Sequence, residues 1–248
     1  MKESRRNSNG IREDGLTTKR SEVRESHVLK WETHCNTVYS NRRYRRFDAL
    51  NTPREMIEAA IQRGLQGIIV TDHDSVMGGL IGRKIAKAYA DFQVIPGAEI
   101  TSRSGHILAV GIETDIPKGL SVEETVERIR DLGGISVTSH PFSNRVQPSL
   151  GEQCLKTDGV EVFNATNSRQ ANLRAMSIAQ TRGRPETAGS DAHWARSVGK
   201  AGIICDDPMS DIRKGRVVLF GEYTTLWNRR MFNFRQLAST VANRPLWK

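Results

Sequence analysis

The chain lacks the features that mark membrane and secreted proteins. No apolar run approaches the ~20 residues that span a bilayer. The first 27 residues are polar and charged, without the apolar core of a secretory signal. Three cysteines, Cys35, Cys154 and Cys205, are too few and too odd in number for a disulfide framework and suit a reducing cytoplasm. There is no internal repeat, no low-complexity tract and no sign of a second domain. What is present, 37% hydrophobic and 26% charged residues in a chain of 248, describes one cytoplasmic globular domain long enough to bury a full core.

The positive charge belongs to peripheral segments. The net charge of +9 divides into +2 over residues 1–27, +4 over 41–46 from Arg42, Arg43, Arg45 and Arg46, and +5 over 225–248, leaving the rest at −2. Basic outer segments around a nearly neutral body suit an anionic substrate or a nucleic acid, or are simply solvated. The expected division is a disordered basic segment over 1–27, a barrel over 28–224, and a basic, aromatic helix over 225–248 packed on the barrel.

Histidines are few, and five of the six fall in short motif-like stretches. These are Glu32-Thr33-His34-Cys35-Asn36, Thr71-Asp72-His73-Asp74, Ser104-Gly105-His106, Ser139-His140-Pro141 and Gly189-Ser190-Asp191-Ala192-His193. Gly97-Ala98-Glu99 adds a carboxylate. Most of these residues stand at or just past the end of an apolar run, as expected of one distributed multi-metal hydrolytic site. Asp72 and Asp74 are expected to orient His73 or to cap a helix.

Strand-like runs (28–33, 67–71, 93–95, 107–112, 135–138, 159–163, 185–188) alternate with helical patterns over 53–63, 80–91, 122–132 and 169–181. Asn51-Thr52-Pro53 opens the first helix and Gly64 closes it. Such alternation predicts a parallel sheet with helices outside. An open doubly wound sheet gathers ligands at one switch point, whereas a barrel collects every strand end on one face. With candidates at nearly every strand end, the barrel is favoured.

The ordered set resembles the PHP family, named for its polymerase and histidinol phosphatase members. His34-Cys35-Asn36-Thr37-Val38-Tyr39-Ser40 stands where the family has His-x-His-Thr/Ser-x-x-Ser. Thr71-Asp72-His73, Gly97-Ala98-Glu99, His106, Ser139-His140-Pro141-Phe142 and Gly189-Ser190-Asp191-Ala192-His193 match the later motifs, and Glu161-Val162-Phe163-Asn164 looks like the family's sixth strand. The resemblance covers roughly residues 29–220. It implies a distorted (β/α)7 barrel with two or three divalent metal ions (Zn²⁺, Mn²⁺ or Fe²⁺) at its C-terminal end. The first ion would take His34, Asn36, Glu99 and Asp191, and the second Glu99, His106 and His140. The third would take His73, His193 and Asp48, the last from an Asp48-Ala49-Leu50-Asn51-Thr52-Pro53 stretch that resembles the family's Asp-Gly-x-x-Thr-Pro.

The implied activity is phosphate-ester hydrolysis by metal-activated water, with His34, Glu99 and Asp191 at the reacting centre and Arg145 neutralising phosphate charge. The basic rim, Arg42 to Arg46 with Tyr44 among them, favours nucleotides or oligonucleotide ends. Other readings are a small-metabolite phosphatase, for example of histidinol phosphate, C–N bond hydrolysis, and a non-catalytic nucleic-acid or nucleotide-binding module. The last is suggested by Asn36, which stands where the family has histidine. An uncharged amide is a poor ligand for a zinc-like ion.

Overall fold

A computed structural model describes residues 29–40, 48–144 and 148–242. Among these described residues nine strands form one sheet: β1 Lys30–Cys35, β2 Gly67–Val70, β3 Gln93–Thr101, β4 His106–Val110, β5 Ile135–Thr138, β6 Gly159–Asn164, β7 Glu186–Gly189, β8 Ala201–Ile204 and β9 Val218–Gly221. Six helices accompany them: α1 Pro53–Gln62, α2 Met77–Ala86, α3 Val122–Asp131, α4 Arg169–Thr181, α5 Pro208–Arg213 and α6 Leu226–Ala242.

Local chemistry sets the helix boundaries. Thr52 caps α1, and the Glu55 carboxylate accepts the Thr52 N–H at 2.7 Å, closing a capping box with Pro53 in the first turn. Gly64, at φ 71°, ends that helix in a conformation that favours glycine. Ser121 and Glu124 repeat the capping box on α3. Helices α1 and α3 each turn one apolar stripe inward. Met56, Ile57 and Ala60 of α1 pack on Ile68 and Val70 of β2, and Val122, Val126 and Ile129 of α3 join Ile100, Ile107 and Ile112.

Strand order is β7-β6-β5-β4-β3-β2-β1-β8-β9, and β7 packs back against β1, β8 and β9, so the sheet is a nearly closed barrel. Its interior holds Trp31, Ile69, Leu108, Val110, Val137, Val160, Val162 and Ile203. The barrel is therefore as expected, but the expectation of a parallel sheet needs correcting. The pairs β3–β4, β4–β5, β1–β8 and β8–β9 are antiparallel. The residues between β3 and β4, 102–105, are too few for a crossover, so the chain must turn straight back as a hairpin. β8, β9 and α5, absent from the sequence expectation, close the barrel after β7.

This reversal positions the site. β1, β2, β3, β5, β6 and β7 present their carboxyl ends to one rim, while β4 runs the other way and brings its first residue, His106, to that same rim. Thr101 pairs with His106 and Glu99 with Leu108.

Candidate metal centre

His34 lies near the end of β1, His73 just past β2, Glu99 late in β3, His140 just past β5 and Asp191 just past β7. All five are buried. His140 and Asp191 hold φ values of 31° and 52°, a region uncommon for residues other than glycine. Such backbone persists only where surrounding contacts over-determine it, and here it aims side chains inward from the strand ends.

Glu99 is the hub. Its Oε2 lies 3.2 Å from His34 Nε2 and 3.3 Å from His73 Nε2. Its Oε1 lies 3.0 Å from both His106 Nδ1 and His140 Nε2 and accepts the Ser139 hydroxyl at 2.9 Å. Asp191 Oδ1 stands 3.5 Å from both His34 Nε2 and His193 Nδ1. Asp48 Oδ2 stands 3.2 Å from His193 Nε2 and 3.6 Å from His73 Nε2. Three groups result: His34–Glu99–Asp191, His73–Glu99–His106 and Asp48–His73–His193. In each, one ligand atom per residue lies within 4.8 Å of the others, close enough to share a cation.

The electrostatics follow from burying so many titratable groups together. Burial by itself would raise the Glu99 carboxyl, yet the imidazoles of His73, His34 and His106 hold it well below the usual carboxylate range. Burial opposes Asp191 likewise, and His34 and His193 bring it down to about 2. His193 is disfavoured as a cation by burial, but Asp48 and Asp191 lift it to about 10. His73, by contrast, is lowered, with burial outweighing Glu99 and Asp48.

The donor set fits divalent ions. His34 meets a carboxylate at both ring nitrogens, Glu161 Oε1 at 2.9 Å from Nδ1 and Glu99 Oε2 at 3.2 Å from Nε2. Without a cation both nitrogens must carry protons, and the ring is a buried imidazolium. With a cation at Nε2 the ring stays neutral and Nδ1–H donates to Glu161, the usual carboxylate–histidine–metal arrangement.

Eight of the nine residues expected as ligands meet here: His34, Asp48, His73, Glu99, His106, His140, Asp191 and His193. The middle group, however, contains His73, and His140 touches Glu99 from the side. Asn36 is fully buried beside them, bonded to Ser40. Arg145 and the 42–46 rim lie outside the described residues. Asp72 and Asp74 flank His73 and anchor the neighbouring turns. Asp72 accepts from the Thr37 backbone N–H and hydroxyl, which ties the turn after β1 to β2. Asp74 accepts from Thr101 N and Oγ1 at 2.7 and 3.1 Å and ties that turn to β3.

Sequence reasoning placed Glu161 only within a strand. Its carboxylate also accepts the His140 backbone N–H and Asn164 Nδ2, both at 2.9 Å, and so joins three strand ends. Asn164 and Thr166 reach Asp191 Oδ2 at 3.4 and 3.1 Å. The available signal was a carboxylate inside an apolar strand, which is costly unless partnered. The C-terminal helix also reaches the site. Phe232 of α6 sets its ring edge against His193 at 6.2 Å between centroids, and Gln236 Nε2 donates to the Asp48 carbonyl at 3.4 Å.

Fold and site together define an α/β barrel with a buried histidine–carboxylate centre at its strand ends. A PHP-associated family model matches residues 169–217. An uncharacterized protein of Methanocaldococcus jannaschii is 36% identical over 143 residues, covering 55% of this chain and 82% of the relative. A Caldicellulosiruptor saccharolyticus protein named "Probable phosphatase" is 24% identical over 213 residues, 71% of this chain and 84% of that one. A solved two-domain Bacteroides vulgatus protein, described as containing a predicted PHP-like metal-dependent phosphoesterase, shares the fold. Its TM-score is 0.62 at 17% identity, over 89% of this chain and 75% of the other. The chain belongs to the PHP family.

Proposed function

We propose that the protein is a metal-dependent phosphoesterase that hydrolyses phosphate esters of nucleotides or oligonucleotide ends. The observation that carries this reading is Glu99, one buried carboxylate shared by four imidazoles and common to two of the three candidate ligand groups. Two or three ions among Zn²⁺, Mn²⁺ and Fe²⁺ would be held by His34, Glu99 and Asp191, by His73, Glu99 and His106 with His140 alongside, and by Asp48, His73 and His193. Bound there, they would supply water activation and neutralisation of phosphate charge.

The protein's own residues prepare that chemistry. Glu161 holds the His34 ring with Nε2 facing the centre, Thr166 and Asn164 fix Asp191, and Ser139 fixes Glu99. The nucleotide preference rests on the charge distribution, with basic segments around a nearly neutral body. Cys35, Cys154 and Cys205 are free and buried, in keeping with a cytoplasmic setting, and no helix among the described residues is long and apolar enough to cross a membrane.

The test is phosphate release from 5′-phosphorylated oligonucleotides and from p-nitrophenyl phosphate between about 50 and 200 mM salt. Hydrolysis of the oligonucleotide that weakens steeply with salt supports the full reading. Salt-insensitive hydrolysis of the small ester alone leaves a phosphoesterase with a small-metabolite substrate. The departure at Asn36 favours one alternative, a binding module with a blunted centre. Tight oligonucleotide binding without hydrolysis, unchanged in Asn36→His, would establish it.

A further inference from the structure

The four most exposed large apolar side chains among the described residues all belong to α6. Leu226, Trp227, Phe234 and Leu237 are each between 64% and 70% exposed. The helix is held from its other side. Phe232 sets its ring edge against His193, Gln236 Nε2 donates to the Asp48 carbonyl, and the Arg235 guanidinium lies 5.4 Å from the centre of the Trp194 ring. Leu226, Trp227, Arg230, Phe234 and Leu237 recur at the three- and four-residue spacings that share one helix face. So α6 turns one side to the metal centre and a broad apolar side to solvent, one helix diameter, ~10 Å, away.

An exposed apolar patch of this kind marks an interaction site, and its charge decides the partner. Arg230 is exposed and stands midway along the face, between Trp227 and Phe234. The helix carries three arginines, Arg229, Arg230 and Arg235, and no acidic residue. A second copy would set arginine against arginine. An apolar protein groove would bury Arg230 unpaired, and a membrane taking up the rings would draw it below the headgroups. A single nucleic-acid strand suits the whole face, because each base offers a π surface and each linkage an anionic phosphate. Trp227 and Phe234 are two turns apart, ~10 Å along the axis, which leaves room between two stacked bases for a phosphate at Arg230.

We propose that the outer face of α6 is a stacking platform for a single-stranded nucleic acid, with one base on Trp227, another on Phe234 and the intervening phosphate on Arg230. The platform deepens the phosphoesterase reading and rests on that reading for the strand's role as substrate. Its inner-side contacts with His193 and the Asp48 carbonyl keep a bound strand beside the metal centre. A mononucleotide cannot span both rings, so the platform selects oligonucleotides.

The test measures binding of a short fluorescent oligothymidine to the full chain by anisotropy, beside hydrolysis of p-nitrophenyl phosphate. Trp227→Leu and Phe234→Leu keep apolar bulk and remove the stacking ring. Each should weaken oligonucleotide binding about 5- to 100-fold while the small ester is hydrolysed as by the parent, and Trp227→Phe should restore most of the affinity. Arg230→Gln should flatten the slope of log affinity against log salt by about 0.7. Affinity within about twofold of the parent in both leucine variants would overturn the platform and leave the phosphoesterase reading standing. So would a parent that ignores the oligonucleotide and uses this face to form a dimer in sedimentation or to adhere to phosphatidylserine vesicles. Ring-dependent oligonucleotide binding by a metal-loaded protein that releases phosphate from no ester would keep the platform and sink the phosphoesterase reading.

Discussion

Replacing Glu161 by glutamine is a severe test of how the centre is held. One carboxylate accepts three bonds of 2.9 Å, from His34 Nδ1, the His140 backbone N–H and Asn164 Nδ2. Glutamine keeps one acceptor oxygen and substitutes an NH₂ for the other. If the oxygen stays with His34, the NH₂ faces two buried donors. Each donor left unsatisfied costs about 1–3 kcal/mol, so the variant loses about 2–6 kcal/mol. For a chain of this size each kcal/mol shifts the melting temperature by about 2–4 °C, which gives a fall on the order of 10 °C. If the NH₂ turns to His34 instead, Nδ1 must become the acceptor. Nε2 then carries the proton and is lost as a ligand, and metal affinity falls about 10- to 100-fold. Thermal unfolding by circular dichroism, with a metal titration alongside, reads both outcomes. A variant that melts within about 2 °C of the parent and binds metal within about twofold would refute the reasoning.

Three further outcomes follow from the same geometry. A Cβ added at Gly189 would lie 2.5 Å from His34 Cβ and 2.7 Å from Glu161 Oε1, so Gly189→Ala should cost about 1–3 kcal/mol in denaturant unfolding and loosen the first metal group; unchanged stability and metal uptake would contradict that packing. Glu99→Gln removes the shared charge, and mass spectrometry of the purified variant should show fewer bound ions than the parent; equal loading would show that Glu99 is not the shared ligand. In the metal-free protein the folded His193 titrates at about 10, above its ordinary 6.5. Its stabilising contribution is therefore complete below pH 6.5 and disappears as pH rises toward 10. The melting temperature of the metal-free protein should drop across that range, less steeply in Asp48→Asn; identical alkaline slopes would remove Asp48 as the cause.

The barrel was legible because ordered apolar runs alternate with capped helical stretches, and the candidate ligands stand at the ends of those runs. The direction of β4 was not, since it depends on how few residues separate it from β3. That one reversal explains how His106, at the start of a strand, meets Glu99 near the end of another. β8 was hidden because Ala201–Ile204 is short and contains Gly202, whose added Cβ would collide with the Trp31 carbonyl; such a strand has little side-chain pattern to read. Glu161 could be seen as a strand residue, but its partners lie 127 and 21 positions away and are set by which strands become neighbours. Asp72 and Asp74 look in sequence like supports for His73. Their visible partners include the Thr37 and Thr101 hydroxyls, which tie down the turns that flank it and could be paired only once the strands had become neighbours.

The central claim is tested most directly by phosphate release from a 5′-phosphorylated single-stranded oligonucleotide, comparing metal-stripped protein, Mn²⁺-reloaded protein and a reloaded Glu99→Ala variant. Release that requires the metal and disappears in the variant is the predicted result. Release that is indifferent to stripping, or no release from any phosphate ester by fully loaded protein, would contradict it.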